Sequence, residues 1–121
     1  MAKYTDSNSR IFSAGDTATP GTTLTDFLAV ASGERILLGV DAYNTHTAVL
    51  YLQIHDAAAI GNVSNSTLKM TYKVFADSNI GIAYTLFGTK FTNGIVVAAS
   101  STKNTYTDAN NDKFMIMATY I

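Results

Sequence analysis

Two histidines, a pair of adjacent serines and scattered acidic residues are the side chains of this sequence that could carry chemistry. His55 stands next to Asp56, and Ser100 or Ser101 could complete a hydrolase triad with them. No nucleophile-elbow pattern surrounds either serine, and nine serines make such a combination common by chance. His46 lies nine residues before His55, which is not metal-ligand spacing. We therefore expect no enzymatic activity.

A second candidate for chemistry is the D-x-N-x-D pattern of Asp108, Asn110 and Asp112, which is typical of the start of calcium-binding loops. An EF-hand loop would continue with Gly at its sixth position and Glu at its twelfth. This chain has Lys113 and Thr119 there, so that motif fails. A looser calcium site is the weaker interpretation, and a polar hairpin turn is the stronger one. We predict no cofactor.

The composition excludes several functional classes. Charged residues make up 14% of the chain, against about 25% in soluble domains, and Thr, Ser and Asn supply 35 of the 121 residues. The net charge of -1 argues against a nucleic-acid partner, since such binding needs a basic surface. The absence of cysteine excludes a disulfide framework. No apolar run reaches the ~20 residues of a membrane span, and the polar first 25 residues indicate synthesis in the cytoplasm without a signal peptide.

Short β-type segments separated by turn residues follow one another from residue 26 onward, which predicts an all-β antiparallel sandwich as a single domain over 26–121. Alternation places Leu50, Leu52 and Ile54 on one face of a strand, opposite Gln53 and His55. Isolated glycines at 81 and 88 predict β-bulges. The predicted strands are 26–31, 34–43, 47–56, 68–76, 81–87, 94–101 and 113–121. In 34–43, alternation predicts that one face carries Ile36, Leu38, Val40 and Ala42.

Residues 1–25 are polar and contain the only proline, which predicts an extended N-terminal arm. Arg10, Ile11 and Phe12 interrupt this arm and are candidate interaction residues. Ile11 and Phe12 can anchor the arm as an edge strand of the same sheet, which we favour, or on a neighbouring molecule.

The last two predicted strands are apolar on both faces. Ile95 and Val97 lie in 94–101, and Met115 and Met117 lie in 113–121. A strand that is apolar on both sides is either covered by another segment of its chain or packed on a partner. The arm could provide that cover. We slightly favour a subunit interface, because the surface is also short of charge, and name these four as candidate interaction residues.

Two stretches carry a resemblance to a known group of proteins. Residues 51–57 read YLQIHDA, and residues 87–102 read FGTKFTNGIVVAASST. Together they resemble small β-sandwich virion proteins of tailed double-stranded DNA bacteriophages, over roughly residues 36–121. Members of that group often have a Gly-Arg pair before the phenylalanine, where this chain has Gly88-Thr89-Lys90.

The resemblance implies a non-enzymatic structural protein of the virion, in first place a capsid decoration or cement protein on the capsid surface. Jelly-roll and immunoglobulin-like sandwiches have overlapping strand signals, and we favour a jelly-roll-like sandwich of about eight strands. The implied partners are the major capsid protein or another virion protein, and further copies of the chain in a homo-oligomer, with a trimer favoured. The alternative is a receptor- or glycan-binding module of the tail or a vertex.

Overall fold

A computed structural model describes residues 8–14, 27–44, 46–83, 88–107 and 114–121, with backbone alone at 8–14, 27–28, 114–115 and 117. Nine β-strands occupy most of this part of the chain. Two single-turn 3-10 helices, Ile60–Asn62 and Asn65–Thr67, lie between the fourth and fifth strands. In these residues no helix has the length and apolarity needed to cross a membrane. The strands are β1 Asn8–Ala14, β2 Phe27–Ser32, β3 Arg35–Asn44, β4 Leu50–Asp56, β5 Leu68–Val74, β6 Ser78–Ala83, β7 Thr89–Phe91, β8 Gly94–Ser100 and β9 Phe114–Tyr120.

The strands form two antiparallel sheets. Sheet A has the order β1-β9-β3-β6, with the short β7 also paired to β3, and sheet B has the order β2-β8-β4-β5. Four of the pairings are nested, namely β1 with β9, β2 with β8, β3 with β6 and β4 with β5. The pairings of β3 with β9 and of β4 with β8 join them into the two sheets. This nesting is the strand arrangement of a jelly roll. The predicted all-β sandwich is therefore confirmed.

The core lies between the two sheets and is filled by the alternate side chains that point inward from each strand. Leu52 and Ile54 of β4 are buried, as alternation predicts. On the other face of β4, Gln53 and His55 are buried as well, which alternation alone does not predict. The main core residues are Val30, Leu37, Val40, Ala42, Leu50, Leu52, Ile54, Val74, Phe91, Ile95, Val97, Ala99, Ile116, Ala118 and Tyr120.

The predicted inward face of β3 is only half correct. Val40 and Ala42 are buried as expected, but Leu37 fills the core in place of Ile36 and Leu38. The pairing of β3 with β9 shifts register between Leu37 and Gly39. Such an irregularity inserts an extra residue and reverses which side chains face inward beyond it.

The sixth strand begins earlier than the sequence suggests. The sequence predicts a strand over 81–87, whereas β6 spans Ser78–Ala83, and residues 84–87 lie outside the described residues. Asp77 adopts a φ of 50° as the second residue of a tight turn, and the strand starts immediately after it. Gly81 is not a bulge, because β6 and β3 pair without a register shift.

Candidate interaction surface

The outer face of sheet A is where the structure joins part of the predicted arm to the last strand. β1 pairs with β9 and places Ile11 opposite Met117, while β3 on the other side of β9 places Asp41 opposite the same Met117. In antiparallel sheets, directly opposed residues share a face. The strand positions of Ile11, Met117 and Asp41 therefore lie on one face of the sheet. Tyr43 and Met115 are the next pair along it.

Most of the described residues on this outer face are exposed. Tyr43 is 42% exposed, Asp41, Asn79, Gly81 and Ala83 are exposed as well, and Gly39 and Thr119 are half-buried. Apart from the tyrosine, these described side chains are small. We use "outer face of sheet A" for these residues together with Gly39, Thr119 and the strand positions 11, 115 and 117.

A shallow depression interrupts this face between β3 and β6. Its volume is about 350 Å³, and Gly39, Gly81, Ala83, Asp41 and Thr119 contribute to its lining. A Cβ at Gly81 would lie 2.7 Å from Asp41 Oδ1, which is too close for a side chain. The carboxylate of Asp41 thus occupies the space that a side chain on β6 would need.

The remaining predicted arm residues occupy alternate positions in β1. Arg10 lies opposite Ala118 and Phe12 lies opposite Ile116. Both β9 residues are buried in the core. The strand positions of Arg10 and Phe12 are therefore on the core side of sheet A, unlike that of Ile11.

Ile95 and Val97 lie elsewhere, in the core side of β8 in sheet B. Their side chains are 0% and 1% exposed, and every residue of β8 is buried. The burial of both faces of β8 is accounted for within one chain. These two residues belong to the fold and not to its surface.

On the outer face of sheet B, buried polar side chains form hydrogen bonds with other segments of the same chain. The Gln53 side-chain amide donates to the backbone carbonyls of Thr102, Lys103 and Thr105 at 3.2, 3.4 and 2.8 Å. These bonds hold the segment after β8 against the sheet. The Gln53 Oε1 atom lies 3.0 Å from His55 Nε2.

The partners of His55 define the proton position on its ring. Carbonyl oxygens accept but never donate, so the amide nitrogen of Gln53 faces them and its Oε1 faces the ring. His55 Nε2 therefore donates to Gln53. Nδ1 lies 3.0 Å from Thr67 Oγ1, in the segment that connects β4 to β5. Burial lowers the pKa of His55, partly offset by a hydrogen bond with the Ser64 backbone.

The triad considered for Ser100, His55 and Asp56 is not brought together. The Ser100 hydroxyl accepts hydrogen bonds from the backbone N–H groups of Thr102 and Thr107, at 3.1 and 3.0 Å. His55 lies opposite Val96, four residues along β8, a strand distance of roughly 13 Å. Ser101 is exposed.

Asp56 instead fixes the turn between β7 and β8. Its carboxylate accepts the backbone N–H groups of Asn93 at 2.7 Å, Thr92 at 3.1 Å and Gly94 at 3.3 Å. Burial opposes the charge, but these three hydrogen bonds and the charge of Lys69 together lower the pKa of Asp56. The Asp56 carboxylate is a structural acceptor.

The candidate calcium loop of Asp108, Asn110 and Asp112 lies outside the described residues. Within the described ranges, no three His, Asp or Glu side chains are grouped so that they could hold a metal ion.

Tyr43 and Asp41 are not among the interaction residues predicted from the sequence. Their signal was present, because alternation in 34–43 places both opposite the apolar face. No family model, curated protein or solved structure matches this chain.

Proposed function

We propose that this chain is a non-enzymatic virion structural protein and acts as a capsid decoration protein that binds the assembled shell. The observation that carries the proposal is the outer face of sheet A. There the N-terminal strand β1 and the C-terminal strand β9 lie side by side with β3, whose residues Asp41 and Tyr43 are exposed. The resemblance of residues 51–57 and 87–102 to phage virion proteins supports the same role.

The physical requirements of a decoration protein fit such a surface. A protein that binds the closed shell and not its free subunits stabilises the shell by mass action, and no catalytic group is needed. Stable contacts bury on the order of 800 Å² on each partner, and a face that extends over four strands suits them. The described side chains of this face are mostly neutral, which makes binding depend little on salt.

The proposal is tested first by the copy number in purified particles, measured by quantitative mass spectrometry against the major shell protein. A copy number of the same order as that of the shell protein is expected. A handful of copies per particle would move the protein to a vertex or the tail and favour the receptor-binding alternative. Absence from particles would overturn the proposal.

A matched pair of substitutions locates the binding surface. Tyr43 is 42% exposed on the outer face of sheet A, and Phe75 is 59% exposed beyond the end of β5 in sheet B. Shells lacking the protein are titrated with Tyr43→Ala and Phe75→Ala variants. Tyr43→Ala is expected to weaken shell binding about tenfold, in the range of interface aromatic residues, and Phe75→Ala to leave it unchanged. The opposite pattern would show that the outer face of sheet A is not the binding surface, and it would not affect the conclusion drawn from the particle copy number.

A further inference from the structure

The edges of the two sheets are protected unequally. An edge strand exposes backbone groups that pair readily with another strand, and proteins block this with charges, prolines or bulges. β5 carries Lys69 and Lys73, and its pairing with β4 shifts register between Ile54 and His55. The edge strand β2 has a register shift between Ala29 and Ala31.

The remaining edges of sheet A also differ from one another. β1 contains Arg10, and the three-residue β7 contains Lys90. β6 has the sequence SNIGIA, without charge or proline, and pairs with β3 over six residues without a bulge. Among the edge strands that the structure describes, β6 alone has none of these protective features.

The sequence of β6 is complementary to itself. Ile80 and Ile82 are half-buried and pack against the core, while Asn79, Gly81 and Ala83 point to the outer face. When two copies of β6 run antiparallel with Gly81 opposite Gly81, each Ile80 lies opposite an Ile82 and each Asn79 lies opposite an Ala83. Shifting the centre to Ile80 would oppose Ser78 to Ile82 and lose an apolar pair. Cross-strand pairs of β-branched residues stabilise sheets.

We propose that β6 pairs with β6 of a second copy of this chain, antiparallel about a two-fold axis at Gly81, so that sheet A continues from one copy into the next. This contact is isologous, since the same strand serves both copies. The inference is independent of the virion proposal, and its two-fold axis makes the unit a dimer in place of the trimer that we expected from the resemblance.

Among the described residues, the charge nearest to the proposed contact is the Asp41 carboxylate, whose Oδ1 leans over Gly81. In the dimer the two Asp41 backbone positions are three strand spacings apart, roughly 14 Å, but their carboxylates are separated by little more than one spacing. Asp41 is exposed on the outer face, so both carboxylates keep their contact with water and their repulsion is weakened by salt. The contact therefore buries no charge.

The test introduces charge at the two exposed outer positions of β6 in the full chain. Asn79→Lys/Ala83→Lys places lysine opposite lysine twice across the axis, and Asn79→Glu/Ala83→Glu places glutamate opposite glutamate. Mass is measured by light scattering over a dilution series, with the monomer at 12.9 kDa. The unmodified chain is expected to be a dimer, and each double variant alone a monomer with at least roughly tenfold weaker association.

Mixing the two double variants supplies the sharpest readout, because lysine then lies opposite glutamate at both pairs. A 1:1 heterodimer is expected from the mixture. The control substitutes Ala29→Lys and Ser32→Lys, both exposed on the edge strand β2, and is expected to remain a dimer. A monomeric unmodified chain, a trimer that the β6 charges do not disturb, or a mixture that stays monomeric would each overturn the proposal.

Discussion

The outer faces of the two sheets differ in how far they are buried. On sheet B the outer side of β8 is fully buried, with Val96 and Ala98 at 0% and 1% exposure. Polar groups on the same face, Gln53 and His55, are satisfied by segments of the same chain. On sheet A, Asp41 and Tyr43 at the equivalent outer positions of β3 are exposed.

This difference shows that a strand can be apolar on both faces for two distinct reasons. In β8 both faces are buried within the same chain, so its apolar residues Ile95 and Val97 give no evidence for a partner. In β9 the core side is filled by Ile116 and Ala118, while positions 115 and 117 lie beside exposed residues of β3. The apolar positions 115 and 117 of β9 therefore lie on the face where Asp41 and Tyr43 are exposed.

The largest effect should come from placing the same charge on each outer face. Val96→Lys buries an ammonium group without a partner, which should cost about 4 kcal/mol or more of unfolding free energy. Tyr43→Lys lies on the open face and should change stability by less than about 0.5 kcal/mol. Urea unfolding followed by circular dichroism measures both variants. Similar losses at the two sites would contradict the comparison between the faces.

The next effect concerns the network that covers sheet B. Gln53→Met keeps the length of the side chain but removes its donors and acceptor, leaving His55 Nε2 without its partner. The expected loss is about 2–4 kcal/mol, because several buried polar groups lose their hydrogen bonds together. Amide hydrogen exchange should accelerate in residues 101–107, which Gln53 holds through three carbonyls.

A matched substitution separates the network from simple surface change. Lys73→Met is also a substitution on a strand of sheet B, but Lys73 is exposed, and its ammonium group lies 4.9 Å from the centroid of the Phe75 ring. It should leave both stability and exchange in 101–107 close to those of the unmodified chain. Protection of 101–107 that survives Gln53→Met would show that other contacts hold this cover.

Acidification should lower the stability of the protein through His55, which lies in the same polar network on sheet B. Burial lowers its pKa in the folded protein, so the unfolded chain binds a proton more readily below about pH 6.5. The contribution of His55 to stability is therefore complete above pH 6.5 and is lost as the pH falls toward the folded pKa, by at most about 1.4 kcal/mol per pH unit. Unfolding by urea between pH 7.5 and 5 measures it.

A substitution at His55 itself isolates its part of that pH dependence. His55→Gln removes the titrating ring and should flatten the slope between pH 7.5 and 5. An unchanged slope in this variant would contradict the role given to the buried ring.

The fold was largely predictable from alternation and turn residues, and the misses have local causes. Leu50, Leu52 and Ile54 alternate and are buried. Alternation gave the wrong inward face in the first half of β3. There the register shift between Leu37 and Gly39 changes which side chains point to the core, and this shift arises in the pairing with β9, which is distant in sequence.

The site was less predictable than the fold. The sequence indicated that Gln53 and His55 share a face, but not that segments far along the chain would cover it. Likewise, β1 and β9 are neighbours only through the pairing of the first and last strands. Ile11 and Met117 are separated by almost the whole chain, and local patterns carry no information on such register.

The smallest effect should come from Asp56, which fixes one end of sheet B to the turn before β8. Its pKa is lowered in the folded state, so its stabilisation is present above the unfolded value of about 3.9 and is lost as the pH falls through the folded pKa. Asp56→Asn keeps one acceptor oxygen and removes the charge. Because the side chain is partly exposed and screened by solvent, the loss should be about 1 kcal/mol at pH 7. Asp77→Asn, at an exposed turn position that asparagine also adopts, should cost almost nothing. Equal stability of the two variants in urea at pH 7, and the same acid limb below pH 4, would show that the Asn93 turn does not depend on this carboxylate.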